Sequence, residues 1–189
     1  MVRMASFPQP ASIIGIVGQP LAGKDSVAAI LEGHGYTHVS TADMVRDYIR
    51  EHNLGEPTRP LVRDTANALR AEHGGDYLVR LALQKYPEQV AISAIRAVNE
   101  AKCLQAEGGR LVWVEAPQKL RFARLRSRGR VGDDVTLEEF TAQEERETTN
   151  PDPNAQSVSS LRPLADLVIE NTGDFESLRE RVLAELLGV

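Results

Sequence analysis

The sequence predicts an α/β fold, a parallel sheet with helices on both faces, built as one domain over 1–189. Three observations lead there. Short apolar runs alternate with helix-patterned stretches from residue 12 to the end, the order that successive βαβ units produce. The runs are nearly continuous and rich in Ile and Val, as suits strands covered on both faces. With 189 residues the chain can bury one sizeable core but not two ordinary ones, and neither a repeat nor a low-complexity tract divides it.

Taken in order, residues 1–11 carry two prolines and no periodicity and read as a loose leader. Ser12 to Val17 (S-I-I-G-I-V) is the first strand, followed by a glycine-bearing loop and a helix that begins near Ser26 and stops near Gly33 or Gly35. Tyr36 to Val39 is a second strand. Thr41 to His52 is helical, with Met44, Val45, Tyr48 and Ile49 on one stripe. Thr58 to His73 forms a helix stopped by Gly74-Gly75, and Asp76 is placed to cap the next, Tyr77 to Tyr86. Gln89 to Ser93 is the third strand and Ala97 to Glu107 a helix. Leu111 to Glu115 is the fourth strand, and Pro117 opens a helix to Arg128. Thr136-x-x-Glu139 is a capping box that starts a polar helix to about Thr148. Asn150 to Ser157 reads as a mobile loop, Asp166 to Glu170 as the fifth strand, and Asp174 as the cap of the last helix.

The balance of 42% hydrophobic and 26% charged residues is that of a globular protein, and the net charge of −5 argues against general nucleic-acid binding. Cys103 is the single cysteine, so an intramolecular disulfide and a Cys-based metal site are both excluded. His34, His38, His52 and His73 lack ligand spacing and read as surface or partly packed residues. The apolar run near the start is too short to span a membrane and lacks signal-peptide flanks, so a cytoplasmic protein is expected, as monomer or homodimer.

The strongest chemical signal is Gly18-Gln19-Pro20-Leu21-Ala22-Gly23-Lys24-Asp25-Ser26, directly after a strand and before a helix. The spacing G-x-x-x-x-G-K fits a phosphate-binding loop (P-loop, or Walker A). Its glycines let backbone N–H groups face the phosphates, the helix start adds a positive end, and Lys24 reaches the β/γ-phosphates. These nine residues are the candidate ATP site. The position after the lysine normally holds Ser or Thr on Mg²⁺. Here Asp25 stands there with Ser26 next, so Asp25 and Ser26 are the candidate metal ligands. A carboxylate beside phosphates repels them unless a cation intervenes, and tight Mg²⁺ dependence is expected.

The segment Val39-Ser40-Thr41-Ala42-Asp43-Met44-Val45-Arg46 reads in two ways. It is a Ser/Thr/Asp N-cap on an amphipathic helix. It also places the Arg46 fork to meet an acceptor phosphate and Asp43 to position an attacking oxygen or a metal-bound water. Five arginines, Arg121, Arg124, Arg126, Arg128 and Arg130, fall within ten residues. Arg124 and Arg128 share one helix face and are the candidates to neutralise a migrating phosphoryl group. The other reading is a solvated basic face paired with Glu138, Glu139, Glu144 and Glu145.

From about Ile14 onward the chain resembles the small P-loop kinases grouped around adenylate kinase, dephospho-CoA kinase and phage-type deoxynucleoside monophosphate kinase. The G-K-D-S loop is similar to the G-K-D-T of the phage-type enzymes, and the Val39–Arg46 segment resembles the I-S-T-G-D-M-L-R of adenylate kinases. That resemblance implies acceptor contacts by Thr41 and Arg46. The R-L-x-x-R spacing resembles the start of the lid in nucleoside monophosphate kinases, implying Arg124 on the ATP base, Arg128 on its phosphates and a helical lid over about 128–157. The stretch from Arg121 through Phe140 is similar to archaeal and bacterial adenylate-kinase-like members. Ala165 to Gly173 resembles the closing strand and loop of dephospho-CoA kinases, implying adenine contacts mainly through the backbone of Asn171 and Thr172.

The D-G-x-x-R or D-G-x-R of many related kinases at the third strand appears here as Ser93-Ala94-Ile95-Arg96. Arg96 keeps an implied phosphate contact, and the Mg²⁺-steering acid is missing. Asp25, Asp43 and Glu115 are its possible substitutes, in that order. The resemblance implies a three-layer P-loop NTPase fold with sheet order 2-3-1-4-5, using ATP and Mg²⁺ on a small phosphate-bearing acceptor. Two functions remain open. One is an ATP-dependent kinase of a nucleoside monophosphate or a nucleotide-like acceptor such as dephospho-CoA, with Lys24, Asp43, Arg96 and Arg128 catalytic. The other is a nucleotide-binding regulator with weak ATPase, motivated by Ser93 and Asp25. A GTPase is disfavoured because the sequence contains no N-K-x-D segment.

Overall fold

The computed structural model describes residues 11–128, 134–148 and 158–189. Its centre is β1 (Ile13–Gly18), an apolar strand whose residues after Ile13 are all buried. A strand with no exposed face needs a neighbour on each edge and a helical layer on each side. It pairs in parallel with β3 (Val90–Ser93) on one edge and β4 (Arg110–Glu115) on the other. β2 (Thr37–Ser40) adds to β3 and β5 (Leu167–Glu170) to β4, giving the all-parallel order β2-β3-β1-β4-β5. This is the expected order.

The strand period of two divides the core between the sheet's faces. Ile14, Ile16, Val112, Val114 and Ile169 face α1 (Lys24–Glu32) and α8 (Phe175–Val182), burying Val27, Leu31, Leu178 and Val182. Val17, Ile92, Leu111 and Trp113 face the other way, against Val79 of α4 (Tyr77–Lys85) and Leu104 of α5 (Val98–Ala106). A third cluster, with Val45, Ile49, Val62, Leu69 and Leu78, joins α4 to α2 (Thr41–Glu51) and α3 (Arg59–His73). Each fully buried Leu, Ile or Val contributes about 1.5–3 kcal/mol, so these layers fix where the strand ends, and hence the site, must lie.

Helix starts follow their side chains. Thr58 Oγ1 accepts from Leu61 N–H at 3.5 Å with Pro60 in the first turn. Thr136 and Glu139 form the expected reciprocal box at the head of α7 (Leu137–Thr148), at 3.2 and 2.8 Å. Asp174 accepts from Ser177 N–H at 2.9 Å, which holds its carboxyl below the usual range. Asp76 departs from expectation. It occupies the N-cap position of α4, but its carboxylate accepts from Arg80 Nη1 at 2.6 Å instead of capping. The charged donor one turn on outcompetes the backbone N–H.

Two further differences concern the ends of the chain. Ala11 was expected in the loose leader, but its carbonyl accepts from Tyr36 Oη at 2.7 Å; residues 1–10 lie outside the described ones. Val158–Leu164 forms a 3₁₀ segment that the sequence pattern did not suggest, with Val158 and Leu161, one turn apart, both buried. α6 (Gln118–Arg128) and α7 are joined by the Phe122–Phe140 ring contact at 5.7 Å and by the Arg121–Glu144 ion pair. The remainder of the expected lid, 129–133 and 149–157, including Arg130 and the Asn150–Ser157 loop, lies outside the described residues. Among the described residues no helix is long and apolar enough to cross a membrane.

Candidate functional site

The loop after β1 takes its shape from two glycines. Gly18 has φ +140, and a Cβ there would lie 2.2 Å from the Val114 carbonyl oxygen, so β4 tolerates no side chain at the loop's start. Gly23 has φ +103 and precedes α1 without any side-chain cap; a Cβ there would lie 2.1 Å from Asn171 Nδ2. Between them Leu21 sits at φ 63, a conformation that costs a non-glycine residue on the order of 1–2 kcal/mol. An uncapped helix N-terminus at the end of a curled loop suits an anion, and the residues present therefore fit a nucleotide phosphate.

Lys24 lies across this loop, its Nζ donating to the carbonyls of Gly18 at 3.0 Å and Gln19 at 2.7 Å. Behind the loop, Asn171 Nδ2 donates to Ala22 O at 2.8 Å, while its own N–H donates to Glu115 O at 2.7 Å. Arg124 reaches over from α6: Nη1 donates to Leu21 O and Ala22 O at 3.1 and 3.2 Å, and Nη2 to Asn171 O at 3.1 Å. Burial pushes its pKa down. The structure thus brings Gly18 to Ser26, Arg124 and Asn171 together. Asn171 was expected to contribute mainly backbone, yet its buried side chain anchors the loop. Beside it lies a cavity of about 170 Å³ lined by Gly23, Ser26, Arg124, Gly173 and Phe175. Phe175 is 55% exposed and was missed in sequence; an aromatic at the first turn after N-T-G-D was the available signal. Asp25 and Thr172 are exposed, and Ser26 is half-buried.

The second group of expected residues gathers at the ends of β2 and β3. β3 adjoins β1, Ser93 pairing in register with Ile16. Thr41 is buried, its hydroxyl donating to Ala94 O at 2.9 Å, so in this state it ties α2 to the exit of β3. Ser40 caps α2 by accepting from Asp43 N–H at 3.3 Å, and Arg46 pairs with Asp43 at 2.6 Å on the surface. Ser93, where the family's acid would stand, is 2.8 Å from His38 Nε2. Arg96 is half-buried, its N–H donating to Glu100 Oε2 at 2.9 Å.

Sequence reasoning gave Glu100 no role. It is fully buried, accepts from the Arg96 and Ala97 N–H groups, and pairs with buried Arg70 at 2.8 Å. Among the other arginines, Arg121 is buried and ties Ala116 O to Glu144; burial lowers its pKa against an opposing Glu115 charge. Arg126 pairs with Asp134, and Arg128 ends α6 exposed. Glu115 pairs with Arg162 at 2.9 Å. Among the described residues no three His, Cys, Asp or Glu side chains gather as a metal site, so a cation here would rely on Asp25 or Ser26 together with nucleotide oxygens.

This sheet order, with the glycine loop leading from the central strand into α1, defines a P-loop NTPase fold. A family model described as an AAA domain matches residues 14–149. Over 177 residues the chain is 30% identical to a UPF0200 protein of Methanoregula boonei, covering 90% of this chain and 93% of that one. The chain belongs to the AAA domain family and to the UPF0200 proteins. A UPF0200/UPF0201 protein of Archaeoglobus fulgidus is 28% identical over 93% of this chain, which spans only 55% of that relative's length. Among solved structures, TT1252 from Thermus thermophilus superposes with a TM-score of 0.58 at 26% identity, covering 94% of this chain and 98% of that one. A shikimate kinase from Aquifex aeolicus superposes at 0.56 over 93% and 96% of the two chains; at 16% identity it speaks for the fold alone.

Proposed function

We propose that this protein is an ATP-dependent phosphotransferase that moves the γ-phosphoryl group onto a nucleoside monophosphate or a related nucleotide-like acceptor such as dephospho-CoA. The observation that carries this is the loop locked from behind by Arg124 and Asn171, with Lys24 lying across its open side. Lys24 exchanges its two carbonyl partners for the β/γ-phosphate oxygens. The uncapped start of α1 holds the same phosphates through N–H groups, and the cavity beside Arg124 and Phe175 takes the base. Thr41, Arg46 and Arg96 meet the acceptor, Asp43 orients its attacking oxygen, Arg128 neutralises the migrating group, and the backbone of Thr172 meets the adenine edge. Transfer forms a bond from the acceptor oxygen to the γ-phosphorus as the bond to the β–γ bridging oxygen breaks, and ADP leaves. Asp25 or Ser26 would hold Mg²⁺, which would supply charge neutralisation. Chelation is therefore expected to weaken nucleotide binding sharply, and an ATP affinity unchanged by EDTA contradicts that role for Asp25.

Phosphorus NMR of MgATP with a panel of ribo- and deoxynucleoside monophosphates and dephospho-CoA tests the reading. A new phosphoanhydride resonance from a nucleoside monophosphate, or a new phosphomonoester resonance from dephospho-CoA, supports it. Inorganic phosphate at one slow rate across the panel favours a nucleotide-binding regulator, the reading that Ser93 beside His38 in place of an acid supports.

A further inference from the structure

The cavity of about 170 Å³ beside the loop is lined by Gly23 and Ser26 on the loop side and by Asp174 and Phe175 at the head of α8. Arg124 and Asn171, which form another wall, are already engaged. Arg124 directs Nη1 and Nη2 to the carbonyls of Leu21, Ala22 and Asn171, and Asn171 Nδ2 donates to Ala22 O. Asp174 and Phe175 are different. Both residues are exposed as well as lining the cavity, so an occupant has open access to them.

Phe175 is the only exposed phenyl, phenol or indole ring among the described residues. An open aromatic face in a cavity wall is a platform for a flat heterocycle, and every base has a face to stack on it. Asp174 accepts from Ser177 N–H at 2.9 Å and from the Ser177 hydroxyl at 2.8 Å, and both bonds fall on Oδ1. Capping α8 therefore uses one carboxylate oxygen and not the other. The Ser177 bonds hold the carboxyl below the usual range, so at neutral pH Asp174 accepts hydrogen bonds and donates none. It is the one acidic residue among those lining this cavity. A fixed negative charge there repels a phosphate and favours a group that presents N–H bonds.

We propose that Asp174 selects the base of the bound nucleotide: Oδ2 accepts from the exocyclic amine of a purine stacked on Phe175, so the site prefers an amino-purine over the same purine without its amine. The inference rests on the kinase reading only for the nucleotide's phosphates lying on the loop, and not for phosphoryl transfer. An exocyclic amine carries two N–H bonds, so it serves Asp174 while the Thr172 backbone meets the same edge. Adenine and guanine both offer one, at different positions on the ring.

The probes are two pairs of diphosphates, which bind the loop but carry no γ-phosphate to lose. ADP is paired with purine riboside diphosphate, and GDP with IDP, each pair differing by the amine alone. Each is titrated into the full chain by calorimetry with Mg²⁺ present. The expected result is about tenfold weaker binding on loss of the amine in one pair, which names the base, since a hydrogen bond to a charged group is worth about that much. Asp174→Asn keeps the cap, because Asn and Asp cap alike, and turns the outward acceptor into a donor. Asp174→Ser keeps a capping hydroxyl and removes the outward atom. In both variants the two affinities of that pair are expected to converge. Phe175→Ala is expected to weaken all four diphosphates by about fivefold or more and to leave the amine preference in place.

Equal affinities within both pairs, or a preference that survives in both Asp174 variants, overturns the proposal and leaves the kinase reading standing. An Asp174-dependent preference, in a protein that transfers phosphoryl to no acceptor, overturns the kinase reading and leaves the role of Asp174 standing. Failure of all four diphosphates to bind overturns both.

Discussion

The two sides of the cleft are built from different materials. On the proposed nucleotide side, the loop is held by side chains gripping backbone: Arg124 donates to the carbonyls of Leu21 and Ala22, and Asn171 to that of Ala22. On the proposed acceptor side, the charged heads of Arg46 and Asp43 meet each other at the surface, while the Arg70–Glu100 pair is buried and Glu100 also holds the Arg96 N–H. Phosphates are alike in every nucleotide, so a backbone cradle serves them all. Acceptors differ, and residues that choose among them must have heads free to exchange partners. The comparison predicts that damage on each side separates cleanly.

The largest effect is expected from Glu100→Gln. It leaves the Arg70 guanidinium charged and unpaired at 2% exposure, which costs about 3–5 kcal/mol of stability. Urea unfolding measures the loss, and a shift below about 1 kcal/mol would show that the pair is solvated or replaceable. Next is Lys24→Ala. Removing a preorganised donor from the migrating charge lowers turnover about 10²–10³-fold. Its unfolding midpoint should stay close to the parent's, because Lys24 is only half-buried. Asn171→Ala strips one of two donors from the buried Ala22 carbonyl, leaving Arg124 Nη1, and is expected to cost about 1 kcal/mol, with weaker ATP-analogue binding by calorimetry. Unchanged nucleotide affinity would separate the loop's shape from Asn171. The smallest effect is that of Asp43→Ala on stability, below about 1 kcal/mol for an exposed pair. Its kinetic effect falls on acceptor-dependent turnover and leaves KM for ATP alone. A raised ATP KM would merge the two sides.

What the sequence disclosed follows the same division. The central strands β1, β3 and β4 were legible to within about a residue because burial on both faces leaves them largely apolar. The loop was legible because sterics enforce its glycines: Gly18 against the Val114 carbonyl, Gly23 against Asn171. The Arg70–Glu100 pair was not, since its partners stand on different helices 30 residues apart, and each taken alone reads as a surface charge. Asn171 looked like a turn residue because its target, Ala22, is 149 residues away. The 3₁₀ segment Val158–Leu164 hid behind two serines and Pro163, and its two buried residues are too few to make a period. Asp76 was read from a rule of local capping that Arg80, one turn on, overrides.

The most direct test of the central claim is ADP production from MgATP in a coupled assay, with and without each candidate acceptor, in the parent and in Lys24→Ala. The account predicts a rate that one acceptor raises far above the acceptor-free background and that the substitution lowers by about 10²–10³-fold. A rate indifferent to every acceptor, or one that is unchanged in Lys24→Ala, would contradict it.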